Sequence, residues 1–257
     1  MKKLFTMATL VALCFASCAK DEPTSGAKDE MGSVSVELNL ETLVTETRAD
    51  IACTTPAAEE FSLSINGLEG SYAADYDSIA DFNNNNKLKA GDYTASVAAG
   101  DVTVEGYDKA AFAGEQAFTV APRGEESVTV TAYICNSLVK VEVTENFRKY
   151  FVGGHSLELK TAAGNTFDVS AQSEPIFIAP DNFFTINGTA TKQANQSGGE
   201  NITITLPEYK LDSPAARTLY TVKFDVENAG QATLTITTND TVTTTEPIEQ
   251  ELNDNAQ

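Results

Sequence analysis

His155, the only histidine, and the four cysteines Cys14, Cys18, Cys53 and Cys135 are the side chains of this 257-residue chain best suited to nucleophilic, acid–base or metal chemistry. They do not add up to an active centre. A hydrolytic triad needs a base beside its nucleophile, and His155 follows Gly153-Gly154, a turn-like setting with no reason to meet a cysteine. A zinc site needs several imidazoles or thiolates, more than one histidine can help to supply. The carboxylate pairs Asp21-Glu22, Glu59-Glu60 and Glu125-Glu126 are adjacent in sequence. Neighbours on a strand point to opposite faces, so such pairs solvate a surface and do not face one substrate. The run Asp81-Phe82-Asn83-Asn84-Asn85 places oxygens at alternate positions as a calcium loop does. Asn86 stands where the turn glycine belongs and Asp92 where the bidentate glutamate belongs, so the run reads as a solvated Asn-rich turn. The expectation is a protein that is not an enzyme, with no catalytic residue, no cofactor and no metal.

One cysteine has a clear task. Met1 to Lys3 give a cationic start, Leu4 to Phe15 an apolar stretch, and Phe15-Ala16-Ser17-Cys18 resembles a bacterial lipobox in which Phe15 stands where Leu is commoner, the alternative being an ordinary signal peptide with a chance cysteine near its end. Residues 1–17 therefore read as a lipoprotein signal peptide, too short to stay as a membrane span. The lipobox makes Cys18 the expected lipid anchor, and two acyl chains suffice for stable attachment. Residues 18–32, with Pro23, Ser25 and Gly26, form a flexible tether. Lys20-Asp21-Glu22 directly after the anchor resembles the export signal of lipoproteins displayed on the outer face of the outer membrane. The expected address is the outer membrane, lipid-anchored, with the cell surface favoured over the periplasmic face.

The formal charge is −20, with 37 acidic residues against 17 basic ones. A phosphate backbone is bound by clustered cations, so nucleic acid is not a partner. Cys53 and Cys135 remain as one pair in an exported chain. They form one disulfide, closing a loop of about eighty residues worth about 4 kcal/mol, or stay as two buried thiols. Both readings stand at this point.

The elements that would position any site are written in period two. Val34, Val36, Leu38 and Leu40 alternate with polar neighbours, which gives a strand one apolar face. Phe61, Leu63 and Ile65 repeat the pattern before Asn66-Gly67, a turn signal. Further short runs follow to Val130 and Ala132, and a second set opens at Val139, Val141 and Val143. Phe147, Tyr150 and Phe151 have helical spacing and mark one short turn of helix. The chain therefore reads as all-β, with two successive antiparallel β-sandwich domains over residues 33–136 and 137–257.

The lipobox, the strand Val34 to Leu40, Thr47-Arg48-Ala49, the stretch Leu88-Lys89-Ala90-Gly91-Asp92-Tyr93-Thr94, the run from Gly106-Tyr107 to Phe118-Thr119-Val120 and the closing Leu219 to Phe224 resemble an uncharacterised family of Bacteroidales surface lipoproteins. The layout is more distantly similar to the fimbrillins, transthyretin-like pilus subunits exported as lipoproteins. That resemblance implies cleavage after an arginine behind the first strand, loss of the strand, and entry of a strand from the next subunit. On this sequence the strand is Val34 to Leu40, the cut is Arg48-Ala49, and the donor is Thr241 to Leu252, which Pro247 interrupts. The competing reading leaves Arg48 in an uncut exposed turn. Asp77-Ser78-Ile79 and Asp240-Thr241-Val242 resemble the O-glycosylation sequon of Bacteroidetes, which makes Ser78 and Thr241 candidate glycan sites. The expected role is structural or adhesive, with other pilin-like subunits as partners. The alternative is a carbohydrate-binding surface lipoprotein, for which exposed Tyr72, Tyr76 and Tyr107 would form the aromatic platform that a chain without Trp otherwise lacks.

Overall fold

Alternation of apolar and polar residues becomes alternation of buried and exposed ones along the strands. The computed structural model describes residues 30–43, 51–171, 174–192, 200–227, 231–238 and 241–247. In chain order these hold β1 (Met31–Glu41), β2 (Ser62–Gly67), β3 (Ala73–Tyr76), α1 (Ile79–Asn83), β4 (Lys87–Lys89), β5 (Gly91–Ala99), β6 (Gly106–Tyr107), β7 (Phe112–Val120) and β8 (Glu125–Ile134). There follow β9 (Ser137–Val143), α2 (Glu145–Tyr150), β10 (His155–Thr161), β11 (Thr166–Asp168), β12 (Ile176–Ile178), β13 (Phe183–Lys192), β14 (Ile202–Asp212), β15 (Leu219–Glu227), β16 (Gln231–Thr238) and β17 (Thr241–Pro247).

The strands form a seven-stranded sheet in the order β3-β2-β5-β7-β8-β1-β4, a four-stranded sheet β11-β10-β13-β14 and a six-stranded sheet β17-β16-β15-β9-β12-β6. Within the first, β7 and β8 pair only at Phe112 with Ile134 and Ala113 with Tyr133, and then part. The sheet folds over at this corner. Phe61, Leu63, Ile65 and Val97 of one wing thereby share a single buried cluster with Val34, Val36, Val128 and Val130 of the other. Phe61, Leu63 and Ile65 are 0% exposed, and each such side chain contributes about 1.5–3 kcal/mol through removal from water. The other two sheets enclose a second cluster around Val141, Phe147, Leu159, Phe184 and Phe224.

The all-β expectation holds, but the sheets are mixed and not purely antiparallel. β1 runs parallel to β8, and β9 runs parallel to β15. Period-two patterning tells which face a residue takes and says nothing about the direction of its neighbour. Asn66-Gly67 closes β2, paired with Thr94 and Tyr93 of β5, and the chain reverses immediately after it through the short helical turn Leu68–Gly70. The helical turn read from Phe147, Tyr150 and Phe151 is α2, which Thr144 caps by accepting from the Phe147 N–H at 3.2 Å.

Sheet membership changes between Ile134 and Ser137, yet the two stretches are interlocked. β6 leaves the first stretch to pair with β12. Successive residues of β12 point opposite ways, so Ile176 and Ile178 enter the second cluster while Phe177 enters the first. Glu105, just before β6, accepts hydrogen bonds from the Thr161 hydroxyl, from Asn165 Nδ2 at 2.8 Å and, through its other oxygen, from the Ala179 N–H at 3.1 Å.

Candidate functional site

The candidate site is the seat of β1. On its inner flank β1 is paired with β8 from Ser33–Glu125 to Glu41–Tyr133. Val34 is 0% and Val36 2% exposed, while Leu38 and Leu40 pack half-buried on the same cluster. The outer flank is covered differently. β4 pairs antiparallel with Met31, Gly32 and Ser33 only. The Asn86 carbonyl then accepts the Val34 N–H at 2.9 Å. Next, Asn83 closes on Val36 from both sides, Oδ1 accepting the Val36 N–H and Nδ2 donating to the Val36 carbonyl, each at 2.9 Å. A carboxamide presents one donor and one acceptor side by side, so it replaces a neighbouring strand at one residue. By strand alternation the N–H and C=O groups of Leu38 and Leu40 also face outward, and among the described residues nothing meets them.

Local sequence puts Asn83 there. Ser78 caps α1 by accepting from the Asp81 N–H at 3.2 Å and donating to the Asp81 carboxylate at 2.9 Å. Ile79 and Phe82 are the buried face of the helix, and its last residue is Asn83. Ser followed three residues later by Asp, with Ile79 and Phe82 between and beyond, is the signature of a capped short helix. That signal could have separated Asn83 from the solvated Asn84 and Asn85. The Asn-rich run is thus an edge cover, with Asn83 turned onto backbone and not toward an ion.

Both ends of β1 are fastened by other parts of the chain. At the start, Arg123 bridges Glu30 at 2.7 Å and its N–H donates to the Met31 carbonyl at 3.2 Å, while the Ser33 N–H donates to the Gly124 carbonyl at 2.9 Å. At the end, the Arg217 guanidinium carbon sits over the Tyr133 ring of β8, 3.6 Å from its centroid, while Nε donates to the Leu43 carbonyl at 3.1 Å and the group stands 3.9 Å from the Glu41 carboxylate. Neither Asn83 nor Arg217 was legible as a site residue, because each acts on a strand remote in sequence.

The other residues singled out by sequence are scattered. Cys18, Arg48 and Ala49 lie outside the described residues. Cys53 and Cys135 are free, half-buried thiols. Burial pushes both thiols up, and the Asp108 carboxylate adds to the effect at Cys53, which disfavours a nucleophilic thiolate. Ser78 is occupied as a helix cap, and Thr241 opens β17 opposite Thr238 at the edge of the six-stranded sheet. The donor segment is described only to Pro247, as β17. His155 starts β10, not a turn; its Nε2 meets the Ser170 carbonyl at 2.8 Å and its ring packs on Phe147. Tyr72 and Tyr76 share a hydrogen bond between their hydroxyls at 2.8 Å and pack on Tyr93 and Phe82, whereas Tyr107 packs on Phe167 of the other stretch. They form no common row.

Residues 30–254 match the model of a family described as a domain of unknown function, DUF4493. The chain belongs to this family. A search of the curated proteins found no match. Among solved structures, a candidate cell adhesion protein from Bacteroides eggerthii is similar at 11% identity and a TM-score of 0.45, over 84% of this chain and 97% of that one. A candidate polysaccharide-binding protein from Bacteroides thetaiotaomicron is similar at 10% identity and a TM-score of 0.37, over 86% and 99%. The fimbrial anchor protein Mfa2 from Porphyromonas gingivalis is similar at 11% identity and a TM-score of 0.32, over 82% and 98%. Identities of this size carry neither ligand nor partner from one chain to another.

Proposed function

We propose that this DUF4493 protein is a structural or adhesive protein of the cell surface, brought to the outer membrane by a lipid anchor at Cys18, whose first strand is exchangeable and takes the anchor with it when it leaves. Cleavage at Arg48-Ala49 frees β1, and a strand from another subunit takes its seat. The observation that carries this reading is the construction of that seat. The apolar face of β1 fills a core pocket at Val34 and Val36, and its outer flank is held by a three-residue strand and two asparagines. Loss of β1 bares the ladder edge of β8 together with two core positions, each worth about 1.5–3 kcal/mol when filled. An extended segment restores both, with main-chain bonds supplying affinity and alternate side chains supplying register. For the carbohydrate reading no observation speaks, since Tyr72, Tyr76 and Tyr107 offer no shared platform.

The experiment is limited trypsin treatment of residues 18–257, N-terminal sequencing, and challenge of the nicked protein with a labelled peptide of residues 30–42. The expected result is first cleavage at Arg48 and replacement of the β1 fragment by the peptide. Resistance of Arg48, or a fragment that leaves only when the whole protein unfolds, overturns the reading.

A further inference from the structure

The seat of β1 selects its occupant most sharply at Gly32. This residue is buried, and its backbone lies outside the left-handed region, so conformational freedom is not what demands glycine there. Space demands it. A Cβ on Gly32 would lie 2.6 Å from Val120 Cγ1, 2.9 Å from the Ala121 carbonyl oxygen and 3.1 Å from the Gly124 carbonyl oxygen. Two of these three atoms are backbone, and that backbone is fixed. The Gly124 N–H donates to Ala121 at 2.9 Å, and the same turn bonds β1 through Ser33 to Gly124 and Arg123 to Met31. The turn therefore cannot retreat from a side chain without losing its bonds to the strand.

The next positions are equally defined. The seats of Val34 and Val36 are closed core pockets at 0% and 2% exposure, suited to a branched apolar side chain. Polarity and register follow from the flanks: the strand runs parallel to β8, Asn86 requires an N–H at the position of Val34, and Asn83 requires both backbone groups at the position of Val36. The site thus reads the pattern Gly-x-(Val or Ile)-x-(Val or Ile).

The C-terminal segment of this chain does not carry that pattern. Beyond Gly230 the sequence contains no glycine, and Val242, Thr244, Glu246 and Ile248 put a polar and a charged residue on the face that must be apolar. Its described part, β17, is already paired with β16. The stretch Gly230, Ala232, Leu234 and Ile236 has the right spacing, but it leads into β16, which is paired on both edges by β15 and β17. Gly100, Val102 and Val104 do carry the pattern, but they form the turn between β5 and β6, where the Val104 N–H donates to the Asp101 carbonyl at 3.0 Å, and a turn tethered at both ends has no free strand to lend.

We propose that the occupant that replaces β1 is a strand of a different polypeptide bearing Gly-x-(Val or Ile)-x-(Val or Ile) and parallel to β8, and that the protein does not polymerise with its own kind through its C-terminal strand. The inference rests on the strand exchange proposed above. The test uses protein nicked at Arg48 and fluorescent peptides: residues 30–42, the same with Gly32→Ala, residues 241–257, and an unrelated sequence containing Gly-x-Ile-x-Val.

The 30–42 peptide and the unrelated glycine peptide are expected to enter with affinities within about tenfold of each other. The Gly32→Ala peptide should be at least tenfold weaker, the 241–257 peptide should not enter, and nicked protein alone should run as a monomer on an unboiled gel. Entry of the 241–257 peptide, a ladder grown from nicked protein alone, or equal binding of the alanine peptide overturns this inference while leaving exchange intact. If the 30–42 peptide itself fails to enter, exchange fails and the inference with it.

Discussion

Asn83 and Val36, 47 positions apart, are joined by a pair of 2.9 Å hydrogen bonds that make a side-chain amide stand in for a strand. The arrangement extends the cover of β1 beyond the point where β4 stops. Each bond is worth about 1 kcal/mol net. Asn83→Ala is therefore expected to destabilise the protein by about 2 kcal/mol and to speed hydrogen exchange at the Val36 amide, while the exposed Asn84→Ala leaves both unchanged. Chemical denaturation together with amide exchange measures this. Equal behaviour of the two variants would show that the clasp holds nothing.

How much of this was legible depends on range. Val34 to Leu40 and Phe61 to Ile65 declared themselves because alternation is a local property with an immediate consequence for burial. Asn66-Gly67 marked the reversal to within a residue or two: both still pair with Thr94 and Tyr93 of β5, and the chain turns directly after them, the Gly67 N–H donating to the Tyr72 carbonyl at 2.8 Å. The parallel pairing of β1 with β8 was invisible because both directions use the same side-chain period. Asn83 sat in a run of identical residues, and only the helix ahead of it distinguishes its role. Arg217 reaches Leu43 across 174 positions, a separation at which one sequence holds no signal.

The two thiols should be slow. Burial pushes Cys53 and Cys135 above the ordinary thiol range, so little thiolate is present at neutral pH. In Cys18→Ser protein freed of its first seventeen residues, a disulfide reagent is expected to react with native protein at least tenfold more slowly than with glutathione. Under denaturant without reductant it should then count two thiols per chain. A count of zero until reductant is added would reveal a Cys53–Cys135 disulfide instead.

The Tyr72–Tyr76 pair predicts an alkaline transition. Burial, and then the hydrogen bond with Tyr72, push Tyr76 up to about 12 from 10.0. Because the folded value lies above the unfolded one, the contribution to stability is complete below pH 10 and is lost as pH rises to about 12. Burial also raises Tyr93 and Tyr107, so tyrosinate absorbance should show a late phase to which Tyr76 contributes, and Tyr72→Phe should move that contribution back toward the ordinary range. No change in Tyr72→Phe would mean that the bond between the hydroxyls plays no part.

Arg217 gives the last prediction, because it ties the second stretch of the chain to the exit of β1. Its guanidinium carbon sits over the Tyr133 ring, 3.6 Å from the centroid, and its Nε donates to the Leu43 carbonyl at 3.1 Å. Its approach to Glu41, at 3.9 Å and with side chains 27% and 38% exposed, adds little by comparison. A partly buried cation–π contact is worth about 1 kcal/mol, and a hydrogen bond from a charged donor about 1.5–3 kcal/mol. Arg217→Ala is therefore expected to cost about 2.5–4 kcal/mol and to raise the rate of tryptic cleavage at Arg48 several-fold, since Leu43 loses the group that holds it. Arg217→Lys keeps the charge but lacks both the plane and the Nε donor, so it should behave more like alanine than like arginine. If lysine restores both stability and resistance to cleavage, the contact with Glu41 is what matters, and the cation–π contact with Tyr133 is not the device that holds the end of β1.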